Sequence, residues 1–143
     1  MLSIVYSSSA SASFIEADLP KLLTQSRDNN ALLRLTGLLL YRDGHFLQLL
    51  EGDDDIVRDR MDVIAGDPRH QRVRILLEDS IEAREFPDWT MGYGAVAPGY
   101  VDSVPGYRTT FDDIAASEID PSSSIAALRE LIRWFRTQPT SLL

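Results

Sequence analysis

Apolar and β-branched residues crowd the start of the chain. Leu2-Ser3-Ile4-Val5-Tyr6-Ser7-Ser8 has the composition and length of a strand, and the serines that follow predict a small polar loop over residues 9–13. Ile15, Leu19, Leu22 and Leu23 then recur at helical spacing. Ser13 and Glu16 are spaced as a capping box. Pro20 is tolerated only in a first turn, so the helix is expected to begin between Glu16 and Asp18. Asp28-Asn29-Asn30 is expected to end it.

An apolar run over 35–41 predicts a second strand. Asp43-Gly44 is a hairpin signal, and residues 46–51 are the return strand. The two-residue period puts Phe46, Gln48 and Leu50 on one face and Leu47, Leu49 and Glu51 on the other. Asp53, Asp54 and Asp55 suit a helix N-terminus. Val57, Met61 and Ile64 form that helix's apolar stripe, with Gly66 and Pro68 as its stop. Residues 73–77 and 89–96 read as two more strands, and 97–108 as a loop. A last helix is expected after Ser122–Ser124, with Ile125, Leu128, Ile132 and Phe135 on its apolar face. The order βαββαβ plus one strand predicts an α+β, ferredoxin-like fold: one sheet with two helices on one face and C-terminal helices on the other. The expected division is a core over 1–96 and an extension over 97–143.

Charge narrows the function. With 22 acidic and 14 basic residues the net charge is −8, which disfavours nucleic acid and anionic membrane surfaces as partners. The absence of Cys excludes disulfides, thiolate metal sites and thiol nucleophiles, and two His exclude a three-His metal centre. No metal site is expected. No apolar run is long enough to span a membrane, and the start lacks a basic signal-peptide region, so a cytoplasmic location is expected.

The candidate chemistry is sparse. The serines at 7–13 lack a G-x-S-x-G elbow. The aspartates at 53–55 lack the alternation of a Ca²⁺ loop and fit a solvated helix start. Arg69-His70 is a weak anion-binding signal. Gln48 lies in Phe46-Leu47-Gln48-Leu49-Leu50, where a buried amide must find partners. These partners are either other core groups or a bound polar ligand. The same two readings stand open for Tyr6, and for Asn29-Asn30 the choice is between capping a helix end and meeting a ligand.

The chain resembles the BLUF family, blue-light sensors that use FAD. The resemblance rests on Ile4-Val5-Tyr6-Ser7-Ser8, Ser26-Arg27-Asp28-Asn29-Asn30, Leu35-Thr36-Gly37-Leu38-Leu39-Leu40-Tyr41, and Asp43-Gly44-His45-Phe46-Leu47-Gln48-Leu49-Leu50-Glu51-Gly52. It continues through Asp67-Pro68-Arg69-His70 and Arg84-Glu85-Phe86-Pro87-Asp88-Trp89-Thr90-Met91-Gly92, in order over about residues 2–93. The resemblance implies a flavin ring held between the two helices. Tyr6 would be its electron and proton donor, and Gln48 would sit between Tyr6 and the flavin. Asn30 would bond the ring edge with Asn29 nearby. Phe46, Leu22 and Ile64 would be walls. Asp67, Arg69 and His70 would complete the cofactor contacts, with Arg69 toward the phosphate. Trp89 and Met91 would couple the flavin to output from the fifth strand. Some relatives carry a basic residue on the second helix where this chain has Val63, and Arg27 is the candidate replacement. The implied function is a non-enzymatic photoreceptor acting on a downstream protein effector. The amphipathic last helix adds the expectation of a homo-oligomer, at least a dimer. The rivals are a flavin-dependent reductase, which would lack the G-x-G-x-x-G fingerprint here, and a cofactor-free ferredoxin-like adaptor.

Overall fold

The structure is a computed structural model and describes residues 1–94, 103–116 and 123–137. The chain divides into two units, Met1–Tyr93 and Gly94–Leu143. The first runs β1 (Leu2–Ala10), a 3₁₀ turn (Glu16–Asp18), α1 (Leu19–Leu33), β2 (Thr36–Arg42), β3 (His45–Gly52), α2 (Asp54–Ala65) and β4 (His70–Ser80), and leads into β5 (Gly92–Gly94). The sheet order is β4-β1-β3-β2-β5, with β1 antiparallel to both β3 and β4 and β3 antiparallel to β2. This is the ferredoxin-like arrangement, in which a helix carries the chain from β1 over β3 to β2.

The two-residue period decides what is buried. Leu2, Ile4 and Tyr6 of β1, Leu39 of β2, and Phe46 and Leu50 of β3 share one cluster with Leu19 and Leu23 of α1 and Val57 and Met61 of α2. The alternate residues Val5, Leu38, Leu40, Leu47 and Leu49 are also buried. Hence the strands read as near-continuous apolar runs rather than a clean alternation. Asp43 and Gly44 both have positive φ, 49° and 82°, as the two-residue hairpin between β2 and β3 requires.

Four local expectations change. The first helix has Pro20 in its opening turn, but the reciprocal cap uses Asp18, whose carboxylate accepts the Ile15 backbone N–H at 3.0 Å, instead of Ser13 and Glu16. The helix also passes through Asn30. That side chain is buried in tertiary structure, and the helix stops at Arg34, which takes the left-handed conformation (φ 55°) and returns its N–H to the Asn30 carbonyl. The fourth strand is longer than its apolar stretch, because pairing with β1 extends it to eleven residues. The fifth is shorter: it starts at Gly92, so Trp89 and Met91 lie in the segment before it. Trp89 still borders β2, since the Gly37 N–H donates to its carbonyl at 2.9 Å. The expected end of that strand at Val96 and the cap residue Ser122 lie outside the described residues.

The second unit contains α3 (Tyr107–Ala116) and α4 (Ser123–Arg136). Gly106 has φ +77°, and a Cβ there would lie 2.0 Å from the Ala127 carbonyl, so this entry to α3 requires glycine. The buried stripe of α4 is Leu128, Leu131 and Phe135. It is rotated from the expected one, with Ile125 and Ile132 at its margins. Among the described residues no helix is long and apolar enough to cross a membrane, and no cluster of three His, Asp or Glu could hold a metal ion.

Candidate functional site

The helix-facing side of the sheet carries a narrow, partly enclosed cleft. Tyr6, Leu39, Phe46, Gln48 and Leu50 come from the strands, Leu22, Ser26 and Asn30 from α1, and Arg60 and Ile64 from α2. Asp67, Arg69 and His70 close it from the turn into β4. A second, larger and more open cleft shares Leu22, Asp67 and Arg69 with the first and adds Phe14, Lys21, Gln25 and Val63.

Tyr6 and Gln48 are cross-strand partners on β1 and β3. The Tyr6 hydroxyl donates to Gln48 Oε1, and Gln48 Nε2 donates to Met91 Sδ at 3.4 Å. All three residues are buried. Burial pushes the Tyr6 phenol well above its ordinary pKa; the Asp67 carboxylate adds to this and Arg60 opposes it. Tyr6 is therefore a neutral phenol whose O–H is hydrogen-bonded to the Gln48 oxygen. Asn30 Nδ2 donates to the Thr90 carbonyl at 2.6 Å.

Asp67 and Arg69 form a tight pair at the mouth. Arg69 Nε lies 3.0 Å from both Asp67 oxygens and Nη2 lies 2.5 Å from Oδ2, while Nη1 reaches Gln25 Oε1 at 2.7 Å. These hydrogen bonds hold the Asp67 carboxyl below its usual range and raise Arg69. His70 bridges two elements: Nε2 donates to the Ile64 carbonyl at 2.5 Å, and Nδ1 is hydrogen-bonded to Ser8 Oγ at 2.8 Å. The ring is thereby held as a wall edge-on to Tyr6 and Phe46.

The cleft gathers Tyr6, Leu22, Asn30, Phe46, Gln48, Ile64, Asp67, Arg69 and His70, as expected from the sequence. Two expected residues are not part of it. Arg27 Nε donates to the Met91 carbonyl at 2.9 Å, so that side chain is committed to the segment before β5. Asn29 is half-buried beside Asn30 and lines neither opening. Trp89 also stays outside the cleft, stacked on Phe86 with ring centroids 5.0 Å apart. Arg60 was missed. It lies one helical turn before Ile64, so the spacing of the stripe could have found it.

These features define a small α+β binding domain with flat apolar walls, a buried Tyr–Gln pair on its floor and arginines at its mouth. Residues 1–92 match the BLUF family, sensors of blue-light using FAD, and the chain belongs to that family. It is a flavin-binding blue-light sensor domain. Over 92 residues, 64% of this chain, it is 34% identical to the photoactivated adenylate cyclase subunit beta of Euglena longa, covering 11% of that protein. Over 52 residues, 36% of this chain, it is 44% identical to the blue light- and temperature-regulated antirepressor BluF of Escherichia coli, covering 13% of that protein. The chain thus spans about a tenth of the length of these curated relatives. Its backbone matches the dark-state structure of BlrB, a BLUF protein, with TM-score 0.73 and 30% identity over 94% of each chain.

Proposed function

We propose that this chain is a photosensor without catalytic turnover, which binds FAD in the cleft and reports light through the segment that holds Met91. The observation carrying this reading is the continuous hydrogen-bonded line from Tyr6 through Gln48 to Met91. The cleft suits a flavin: Leu22, Leu39, Phe46 and Ile64 offer apolar faces, the Asn30 amide offers polar contacts to a ring edge, and Arg60 and Arg69 offer cations to a phosphate. Among the described residues Arg60 has no hydrogen-bond partner, which leaves its donors for a ligand.

A flavin held there would supply the light-absorbing, electron-accepting chemistry. Tyr6 is the residue placed to give up an electron. A phenol becomes strongly acidic when oxidised, and the Tyr6 O–H already points at Gln48 Oε1 as its hydrogen-bond acceptor. Gln48 carries both a donor and an acceptor end, so it answers by rotating or tautomerising. Either change alters what Nε2 offers to Met91 Sδ. The event is a local hydrogen-bond switch with a structural reader next to it.

The larger opening beside Arg69 favours FAD over FMN, because it has room for an adenylate leading outward from the phosphate. Arg60→Ala is expected to weaken FAD binding about tenfold, the scale of one charge-assisted hydrogen bond, and to leave riboflavin affinity unchanged. Titration of flavin-free protein with FAD, FMN and riboflavin tests this. Equal loss for all three would remove Arg60 from phosphate recognition. The reductase alternative predicts NAD(P)H-dependent turnover by the flavin-loaded protein, and the adaptor alternative predicts no flavin uptake.

For output, the reading is a downstream protein effector and a homo-oligomer, at least a dimer, in the cytoplasm. Support comes from the names of the relatives, which are regulated cyclases and an antirepressor, and from the amphipathic α4. Deleting residues 121–143 is expected to leave the photocycle in place and change the mass in solution. Light scattering in darkness and under blue light measures this, and an unchanged mass in both would defeat the oligomer.

A further inference from the structure

Glu51 is fully buried, with no exposed surface, yet it lies on the face of β3 opposite to the cleft. Its carboxylate accepts three hydrogen bonds. Thr36 Oγ1 donates to Oε1 at 2.9 Å, the Phe86 backbone N–H to Oε1 at 2.7 Å and the Glu85 backbone N–H to Oε2 at 2.8 Å. Arg84 completes the cluster by bonding the Thr36 hydroxyl and the Glu51 carbonyl, each at 2.9 Å, and the Arg34 carbonyl at 2.7 Å. A buried carboxylate is costly unless its lone pairs are filled, and here they are filled by the main chain of one segment.

That segment leads directly to the residues against Gln48. Phe86 stacks on Trp89, and the Phe86 carbonyl accepts the Trp89 N–H at 3.2 Å. One and two residues on, the Thr90 and Met91 carbonyls are held by Asn30 and Arg27 of α1 respectively, and Met91 Sδ meets Gln48. Residues 84–91 are therefore pinned at both ends, and β3 supplies a pin at each: Glu51 at the start and Gln48 at the finish.

We propose that Glu51 is a positioning residue that clamps residues 84–86 and thereby sets how Trp89 and Met91 rest against Gln48. Its kinetic consequence rests on the light-sensor reading; its structural consequence does not. Return from the lit to the dark state requires Gln48 to exchange partners against Met91, and a looser segment lowers the barrier to that exchange. Glu51→Gln keeps the shape but turns an amide donor toward one of the donors that the carboxylate satisfied.

The test uses the full chain with bound FAD and a Trp134→Phe background, so that fluorescence reports Trp89 alone. Glu51→Gln is expected to retain flavin and a red shift of normal size. Dark recovery should be about tenfold faster, equivalent to about 1.4 kcal/mol of barrier, and acrylamide should quench Trp89 more strongly in darkness. Thr36→Val, which removes one of the three donors and leaves the carboxylate, should change both readings in the same direction by about threefold. If Glu51→Gln does not fold, Thr36→Val decides alone. Wild-type recovery and quenching in every variant that folds would overturn the proposal. So would a folded Glu51→Gln protein that cannot hold flavin. Should the parent protein show no light-induced shift, the sensor reading fails, and dark-state quenching of Trp89 still decides whether Glu51 is the clamp.

Discussion

Gln48→Leu is expected to bind flavin and to lose the light-induced red shift completely. Leu fills nearly the same volume on β3, between Phe46 and Leu50, so the apolar walls remain. What disappears is the group that accepts the Tyr6 hydrogen bond and donates one to Met91. No other side chain shown on the cleft floor has both a donor and an acceptor end in contact with these two residues. The substitution leaves the buried Tyr6 hydroxyl without its acceptor, at a cost of about 1–3 kcal/mol in stability. Light-minus-dark difference spectroscopy on the purified variant checks the expectation. A shift of normal size would show that the hydrogen-bond switch lies elsewhere.

Tyr6→Phe is the second large effect. Phenylalanine preserves the ring that packs against the core and lies edge-on to His70. It removes the phenolic proton and leaves a much poorer electron donor. The expected result is a protein that holds flavin and forms no normal lit state. The substitution leaves the buried Gln48 Oε1 without its donor, at a cost of about 1–3 kcal/mol in stability. Transient absorption after a blue pulse measures lit-state formation, and a wild-type yield would dismiss Tyr6 as the donor. Trp89 is a poor substitute in this structure because it stacks on Phe86 outside the cleft.

What the sequence conveyed was the part governed by local rules. Phe46, Gln48 and Leu50 share a face because strands have a period of two. Asp43-Gly44 sets the hairpin because that turn requires two left-handed residues. Together these place Gln48 on that face opposite Leu39, while its pairing with Tyr6 comes from the long-range register of β1 on β3. The rest depends on pairing across the sheet or on tertiary partners. Asn30 looks like a helix stop by type, but its amide belongs to Thr90, and Arg34 ends the helix. Arg27 looks like a phosphate ligand, but its guanidinium caps the Met91 carbonyl. Arg60 sits among the charges of α2, and only its position one helical turn before Ile64 marks it for the cleft. Tyr107, Phe111 and Ile114 carry the spacing of α3, and the Gly and Pro residues before them obscured it.

The most direct test of the account is the absorption spectrum of the full chain, purified in darkness and loaded with FAD, taken before and after blue light. The predicted result is a flavin spectrum that moves slightly to the red under illumination and returns in the dark. A protein that takes up no flavin, or one whose bound flavin only bleaches without a red shift, would contradict it.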